Sequence, residues 1–582
     1  MAHNKQLAEY IAKSMKPFSM VEDPAFIDFM RFCVPKWNIP SRGYFANSAI
    51  PALETVIAEA LKVQLKECVG EVHLTTDIWS SRQVNDFMSV TAHWIAPDSK
   101  GSLTRNNAVL DMSGFGQQHT AYNIGKKLGD VIETWLVPLG VKVGIVTSDN
   151  AQNVVKALND RGMKRAPCMP HCLNLVVKAS LTKSGAELEE TLKAARAIVG
   201  HFRHSASAQR QLEAIQLRYG LPVHKLLQDV PTRWNSTFYM VERLSEQRRA
   251  VSEFFEDSTK HYLAPRQWAL LKAMATVLKP FEEATRLLCM DTSTLGQVLP
   301  LLTFIERTVT HTMTGAELDT PVFCLASCLL NELSLSRLLN AVKTDVQYWA
   351  ATLLDPRFRD TLSTHTSEEA SASPKLEIVR SYLQQRLQDV HSQACKDKSV
   401  AESSPQSAPS TSSGSSPPSD FHSWYTTSST TTPRPRQERR QTITVVKAQL
   451  DAFLEDEGVE CYNSQSNPTV YWEKKRYLWP DLYTVAVGYL ACPPTSVYSE
   501  RVFSTAGAIV TDRRNRLTPK NVATLSFIRM NREWIPNILP ARVANSLSSA
   551  AETAQASAAE EELSEPEEEP FLEKMIFESG DC

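Results

Sequence analysis

The 582-residue sequence contains no run of about 18 apolar residues and no basic, apolar, small-residue opening of the secretory kind. Without either, no membrane partner is expected and the chain reads as intracellular. Its eleven cysteines are scattered, without the dense even spacing of a small secreted disulfide scaffold, so most are expected to be buried or free thiols. No glycine-rich turn follows the first β-run, which argues against a doubly wound nucleotide-binding sheet. Cys168 and His171, in "CMPHCLNL", form a C-x-x-H pair, but no second pair stands at suitable spacing, and no structural zinc is expected.

Length points to several domains, since one hydrophobic core does not extend over 582 residues. Residues 1–68 read as an N-terminal helical region, with apolar residues at three and four spacing in "NKQLAEYIAKSMKPF" and "SAIPALETVIAEALKVQLKECV". Residues 69–184 change texture. Three β-rich runs, "EVHLTTDIW", "FMSVTAHWIA" and "SLTRNNAVLDM", precede a helix with Ile124, Leu128, Ile132 and Leu136 on one face, the strand "VKVGIVTSD" and a short helix "AQNVVKALN". That β-β-β-α-β-α order predicts an α/β (mixed) sheet covered by helices. Residues 185–365 read as all-α. Between 401 and 435, 24 of 35 residues are Ser, Thr or Pro, a composition too poor in apolar surface to order itself, and a disordered linker is expected over 366–440. A mostly helical segment follows over 441–540. Residues 541–582 are expected to be an acidic disordered tail: 551–582 hold eleven Asp or Glu and one Lys, which leaves about +7 on the rest of a chain of net charge -3. That excess is compatible with a nucleic-acid partner.

Two carboxylates, Asp77 in "LTTDIWSS" and Asp149 in "IVTSDNAQN", stand where β-runs meet turns. If both reach one rim of the sheet they offer the oxygen ligands that Mg²⁺ takes with a substrate phosphate. Alternatively each marks a turn, Asp149 capping the helix that follows. Arg233, in "PTRWNST", suits a phosphate or a neighbouring carboxylate, and Trp234 a base or a core. Arg513 and Arg514 belong to a basic cluster that suits a DNA backbone or a solvated helix start. The basic run "PRPRQERR" at 433–440 fits a nuclear localisation patch, a pattern with many false matches.

Seven segments in one order, "KPFSMVEDPAFIDFM", "LTTDIWSS", "VTSDNAQNVVKAL", "CMPHCLNL", "DVPTRWNSTFYM", "ATLLDPRF" and "YSERVFSTAGAIVTDRRNRL", resemble the hAT family of DNA transposases and the zinc finger BED domain-containing proteins domesticated from them. The resemblance covers nearly the whole chain. It implies a ribonuclease H-like catalytic core interrupted by a large all-α insertion, completed by a C-terminal hAT dimerisation region. It implies a catalytic and metal-holding triad of Asp77, Asp149 and Glu500, with Mg (or Mn) as cofactor if the site is active. It places His171 in a Cys-His motif that contacts DNA and gives Trp234 a role in stacking on an extruded base. Phe503, Leu517, Val522, Leu525 and Phe527 would belong to the dimerisation region, where packing within one chain is the alternative.

What the resemblance implies is a nuclear, DNA-binding, regulatory protein acting as a dimer or higher homo-oligomer, with nuclear protein partners. The alternative is an active transposase that cleaves DNA strands, forms hairpins and transfers strands by Mg-dependent phosphoryl transfer. SUMO ligation is a lesser reading that rests on one relative. The family's BED finger, a Cys-x-x-Cys followed by a His pair, is absent from these residues, so recognition of a DNA sequence through it is not expected of them.

Overall fold

A computed structural model describes residues 2–80, 86–231, 233–256, 263–365, 369–402, 435–463, 465–509 and 517–535. Five strands form one sheet: β1 (Val72–Ser80), β2 (Asp86–Pro97), β3 (Leu103–Gly114), β4 (Val143–Ser148) and β5 (Arg165–Pro167). Their order is β3-β2-β1-β4-β5. β1 runs antiparallel to β2 and parallel to β4, as a meander followed by strands reached through helices requires. The helices Ala121–Trp135 and Gln152–Asp160 supply the crossovers. β5 was not expected; three residues including Pro167 carry no periodicity.

Helices bury both faces of the sheet in two apolar clusters. One joins the strands to Ala2–Lys13, Ile50–Lys66, Val497–Ile509 and Pro519–Met530. The other holds Met169–Lys183, the helices from Ala186 to Leu354 and the helix Pro480–Ala491. Where β3 slips register between Val109 and Asp111, Asn531 fills the bulge. Its Nδ2 donates to the Val109 carbonyl at 2.8 Å and its Oδ1 accepts the Val109 N–H at 2.9 Å, so neither backbone group is left unpaired.

The expected linker over 366–440 needs correction. A helix spans Glu369–Glu402, and Pro435 already begins another that runs to Leu454. Val379, Leu383 and Leu387, at a spacing of four, are buried, as are Val446, Leu450 and Phe453 of the second helix. The Ser/Thr/Pro-rich residues 403–434 and the acidic tail lie outside the described residues, whereas 435–440 of the basic run begin the second helix.

The start of β1 is fastened by His73. The Ile145 N–H donates to its Nδ1 at 2.9 Å, so Nε2 carries the proton and donates to the Gly488 carbonyl at 2.8 Å. Close by, Gly70 has φ +89°, and a Cβ there would stand 2.8 Å from the Thr484 carbonyl oxygen. Gly70→Ala is therefore expected to destabilise the fold by about 2 kcal/mol through left-handed backbone strain and that clash. Chemical denaturation with an unshifted midpoint would contradict it.

Candidate catalytic site

β1 and β4 pair in parallel as far as Thr76 and Ser148. Asp77 and Asp149 follow as the next residues of adjacent strands, at the carboxyl end where open α/β sheets place their ligands. β1 continues beside β2 to Ser80, so Asp77 lies within a strand. Asp149 stands just past β4. Each carboxylate also makes a local bond, Asp77 Oδ1 accepting the Ile78 N–H at 2.8 Å and Asp149 Oδ1 the Ala151 N–H at 3.2 Å. The latter is a turn bond. The cap position of Gln152–Asp160 is Ala151, with no side-chain cap, so the expected capping role for Asp149 is not what the structure has.

Glu500 arrives on the first turn of Val497–Ile509, 351 residues later in sequence. That helix is seated by a run of hydrogen bonds between the chain before it and the residues at and just past the strand ends. The Met169 N–H donates to the Pro494 carbonyl at 3.0 Å, Thr147 Oγ1 to the Pro493 carbonyl at 2.9 Å, and the Ser496 N–H to Cys168 Sγ at 3.4 Å. Phe503 stacks on Trp79 at 5.8 Å one turn further on.

The three carboxylates lie within range of one another's charge. Burial, then the charges of Glu500 and Asp149, push the Asp77 carboxyl well above its usual range. Glu500 is also raised, chiefly by burial; Arg233, His171 and Arg501 pull it back and Asp149 adds to the rise. Burial lowers the Arg233 guanidinium, an effect that Glu500 opposes. Thus Asp77, Asp149, Glu500, Arg233 and His171, proposed from separate stretches of sequence, lie within one electrostatic neighbourhood. Burial and the Glu500 charge both raise the Cys168 thiol. As the side chains stand, no three His, Cys, Asp or Glu among the described residues are close enough to hold a metal ion.

Trp234 does not join them. It is 2% exposed, packed edge-on against Phe238 and Phe281 at 6.4 and 6.3 Å, and so has no face open to a base in this conformation. Arg233 caps its helix from the site while the next residue turns into the core. The set assigned to the dimerisation region is likewise occupied within the chain: Phe503, Val522, Leu525 and Phe527 are buried, Leu517 packs on the same cluster, and Phe527 lies 6.1 Å from Trp135. Arg513 and Arg514 lie outside the described residues. Arg501 escaped the sequence reading. It pairs with Asp291 and donates to the Cys289 carbonyl at 3.2 Å, tying the Glu500 helix to the helical region. Its only signal was adjacency to a glutamate that spacing itself does not single out.

Comparison with known proteins agrees with this layout. Residues 75–169 match the model of the ZBED1 RNase-like domain, 166–277 the ZBED1 RNase-like helical domain, and 449–531 the hAT family C-terminal dimerisation region. Human zinc finger BED domain-containing protein 4 is 31% identical over 90% of this chain and 43% of its own length. Human zinc finger BED domain-containing protein 6 is 29% identical over 91% and 55%. The Drosophila melanogaster transposable element Hobo transposase is 24% identical over 52% and 46%. The chain thus spans about half the length of these relatives.

Proposed function

We propose that this chain, which belongs to the hAT family of transposases and proteins derived from them, is a nuclear DNA-binding regulatory protein that acts as a dimer. The observation that carries this reading is the extent of its likeness to the BED domain-containing proteins, which runs through 90% of the chain and includes the dimerisation region. The helical segment between β5 and the Glu500 helix is then an insertion in a ribonuclease H-like core. The expected result is binding to duplex DNA that weakens steeply with salt. Arg233→Ala should weaken it about equally across sequences and reduce the salt slope by about 1. Fluorescence anisotropy at several salt concentrations measures both, and a salt-independent or absent interaction counts against the reading. A purely monomeric mass at micromolar concentration would sink the dimer.

A second reading, DNA strand cleavage of the transposase kind, is supported by the clustering of Asp77, Asp149 and Glu500. The donor chemistry fits a hard cation: burial, and then the charges of Glu500 and Asp149, hold the Asp77 carboxyl above its usual range, and Mg²⁺ or Mn²⁺ would relieve the repulsive part. These three residues would hold the ion, which would supply charge stabilisation for phosphodiester displacement. Arg233 and His171 would orient the DNA backbone at the rim. Mg²⁺-dependent strand cleavage by the parent protein, lost in Asp149→Asn, is the outcome this reading requires. Cleavage that survives Asp149→Asn removes the site.

A further inference from the structure

Cross-strand pairs His73–His93, Thr75–Thr91, Asp77–Ser89 and Trp79–Phe87 form successive rungs along β1 and β2, and alternate residues of a strand share a face. The helix Val497–Ile509 lies along these rungs. Tyr498 meets the His93 ring edge-on at 5.4 Å, Ser499 Oγ is 2.8 Å from Thr75 Oγ1, and Phe503 stacks on Trp79 at 5.8 Å. Glu500 and the Asp77 rung fall between the last two contacts. The helix therefore follows the ladder, and the residue that precedes Glu500 is hydrogen-bonded to the residue two before Asp77.

The Ser499–Thr75 bond continues inward. Thr75 Oγ1 lies 2.5 Å from Thr91 Oγ1, and Thr91 Oγ1 lies 2.9 Å from His93 Nε2. Ser499, Thr75, Thr91 and His93 are all buried. One direction satisfies every hydroxyl hydrogen in the chain: Ser499 donates to Thr75, Thr75 to Thr91, and Thr91 to the ring nitrogen of a neutral His93. Burial, which depresses the His93 imidazole well below its ordinary value, keeps that ring able to accept. In the reverse direction the Ser499 hydroxyl has no acceptor among the described residues. Apolar contacts such as Phe503 on Trp79 hold the helix down and tolerate sliding. Bonds of 2.5–2.9 Å between short side chains do not.

We propose that Thr75 and Ser499 are positioning residues, whose buried hydroxyl chain fixes the Glu500 helix lengthwise on the sheet and so sets Glu500 beside Asp77. The proposal deepens the reading of the carboxylate cluster as the functional site and rests on it for its importance. Its test needs neither metal nor DNA. Asp77→Asn removes a charge disfavoured by burial and then by Glu500 and Asp149, so one part of the resulting gain in unfolding temperature depends on how close Glu500 stands.

That gain is to be measured at pH 7.5 with chelator in the parent, Thr75→Val and Thr75→Ser backgrounds. Thr75→Val keeps shape without the hydroxyl; Thr75→Ser keeps the hydroxyl. The gain should be measurably smaller in Thr75→Val and persist in Thr75→Ser, and Ser499→Ala should behave as Thr75→Val does, which covers the case where one variant fails to fold. An unchanged gain in both hydroxyl-free variants, an equal fall in Thr75→Val and Thr75→Ser, or no gain in the parent overturns the proposal. Loss of the parent gain in Thr75→Val beside absent DNA binding and cleavage would instead sink the functional readings and leave the positioning role standing.

Discussion

Asp77→Asn is expected to raise the unfolding temperature at neutral pH by several degrees while weakening Mn²⁺ binding at the site by about 10- to 100-fold. The first effect follows from the direction of the Asp77 shift. Its carboxyl is raised in the folded protein by burial and by Glu500 and Asp149, from an ordinary value of 3.8. Between that value and the raised one, the folded state holds a proton that the unfolded chain has released, so stability falls as pH rises through the window. Above it the full cost of the charged Asp77 carboxylate is present; below about pH 4 it is absent. Asparagine occupies nearly the same volume without charge, so the difference between variant and parent should be near zero at pH 4 and grow with pH. Thermal unfolding at pH 4, 6, 7.5 and 9 gives the curve. A flat or negative difference would mean that the carboxylates do not share a site. The second effect comes from the same carboxylate: the charge that burial and its neighbours disfavour is one that attracts a divalent ion, so removing it stabilises the fold and weakens the ion's hold.

His73 provides an effect of opposite slope. Burial pushes its imidazole down to about 4 from an ordinary 6.5, against the smaller opposing influences of Glu71 and the Gly488 carbonyl. The folded state refuses a proton that the unfolded chain accepts. Stability from this group is therefore complete above pH 6.5 and is lost as pH falls toward 4, on the order of 3 kcal/mol in all. The reason is in the bonding: Nδ1 must accept the Ile145 N–H, and an imidazolium has no lone pair there. Protonation would break the tie between β1 and β4 a few residues below the candidate site. His73→Gln, which does not titrate, should start less stable at pH 7.5 and lose less between pH 6.5 and 4. Parallel pH profiles for parent and variant would show that His73 is not the group responsible.

Much of this protein is legible in its sequence because local chemistry and tertiary context agree there. "VHLTTDIW" and "VGIVTSD" end β-branched runs in a carboxylate, and the fold carries both to one edge because parallel neighbours end on the same side. The helix Glu369–Glu402 was equally legible in Val379, Leu383, Leu387 and Val390, but the Ser/Thr/Pro-rich stretch beyond it dominated the reading by composition. Trp234 shows the opposite case. Its neighbour Arg233 lies in the electrostatic field of Glu500 as the extended N-cap residue, and the helix begins only at Trp234, which turns into the core.

By itself the sequence indicated β1 to β4, most of the helices, the mixed sheet, and two carboxylates late in β-runs, since these depend on periodicity within a few residues. Glu500 was placed by resemblance alone, for no spacing rule bridges 351 residues. Only the tertiary structure decided that its helix lies along the β1–β2 rungs, that Ser499 meets Thr75, and that three like charges share a poorly solvated edge. Those are properties of distance and burial, which the order of residues does not contain until the chain has folded.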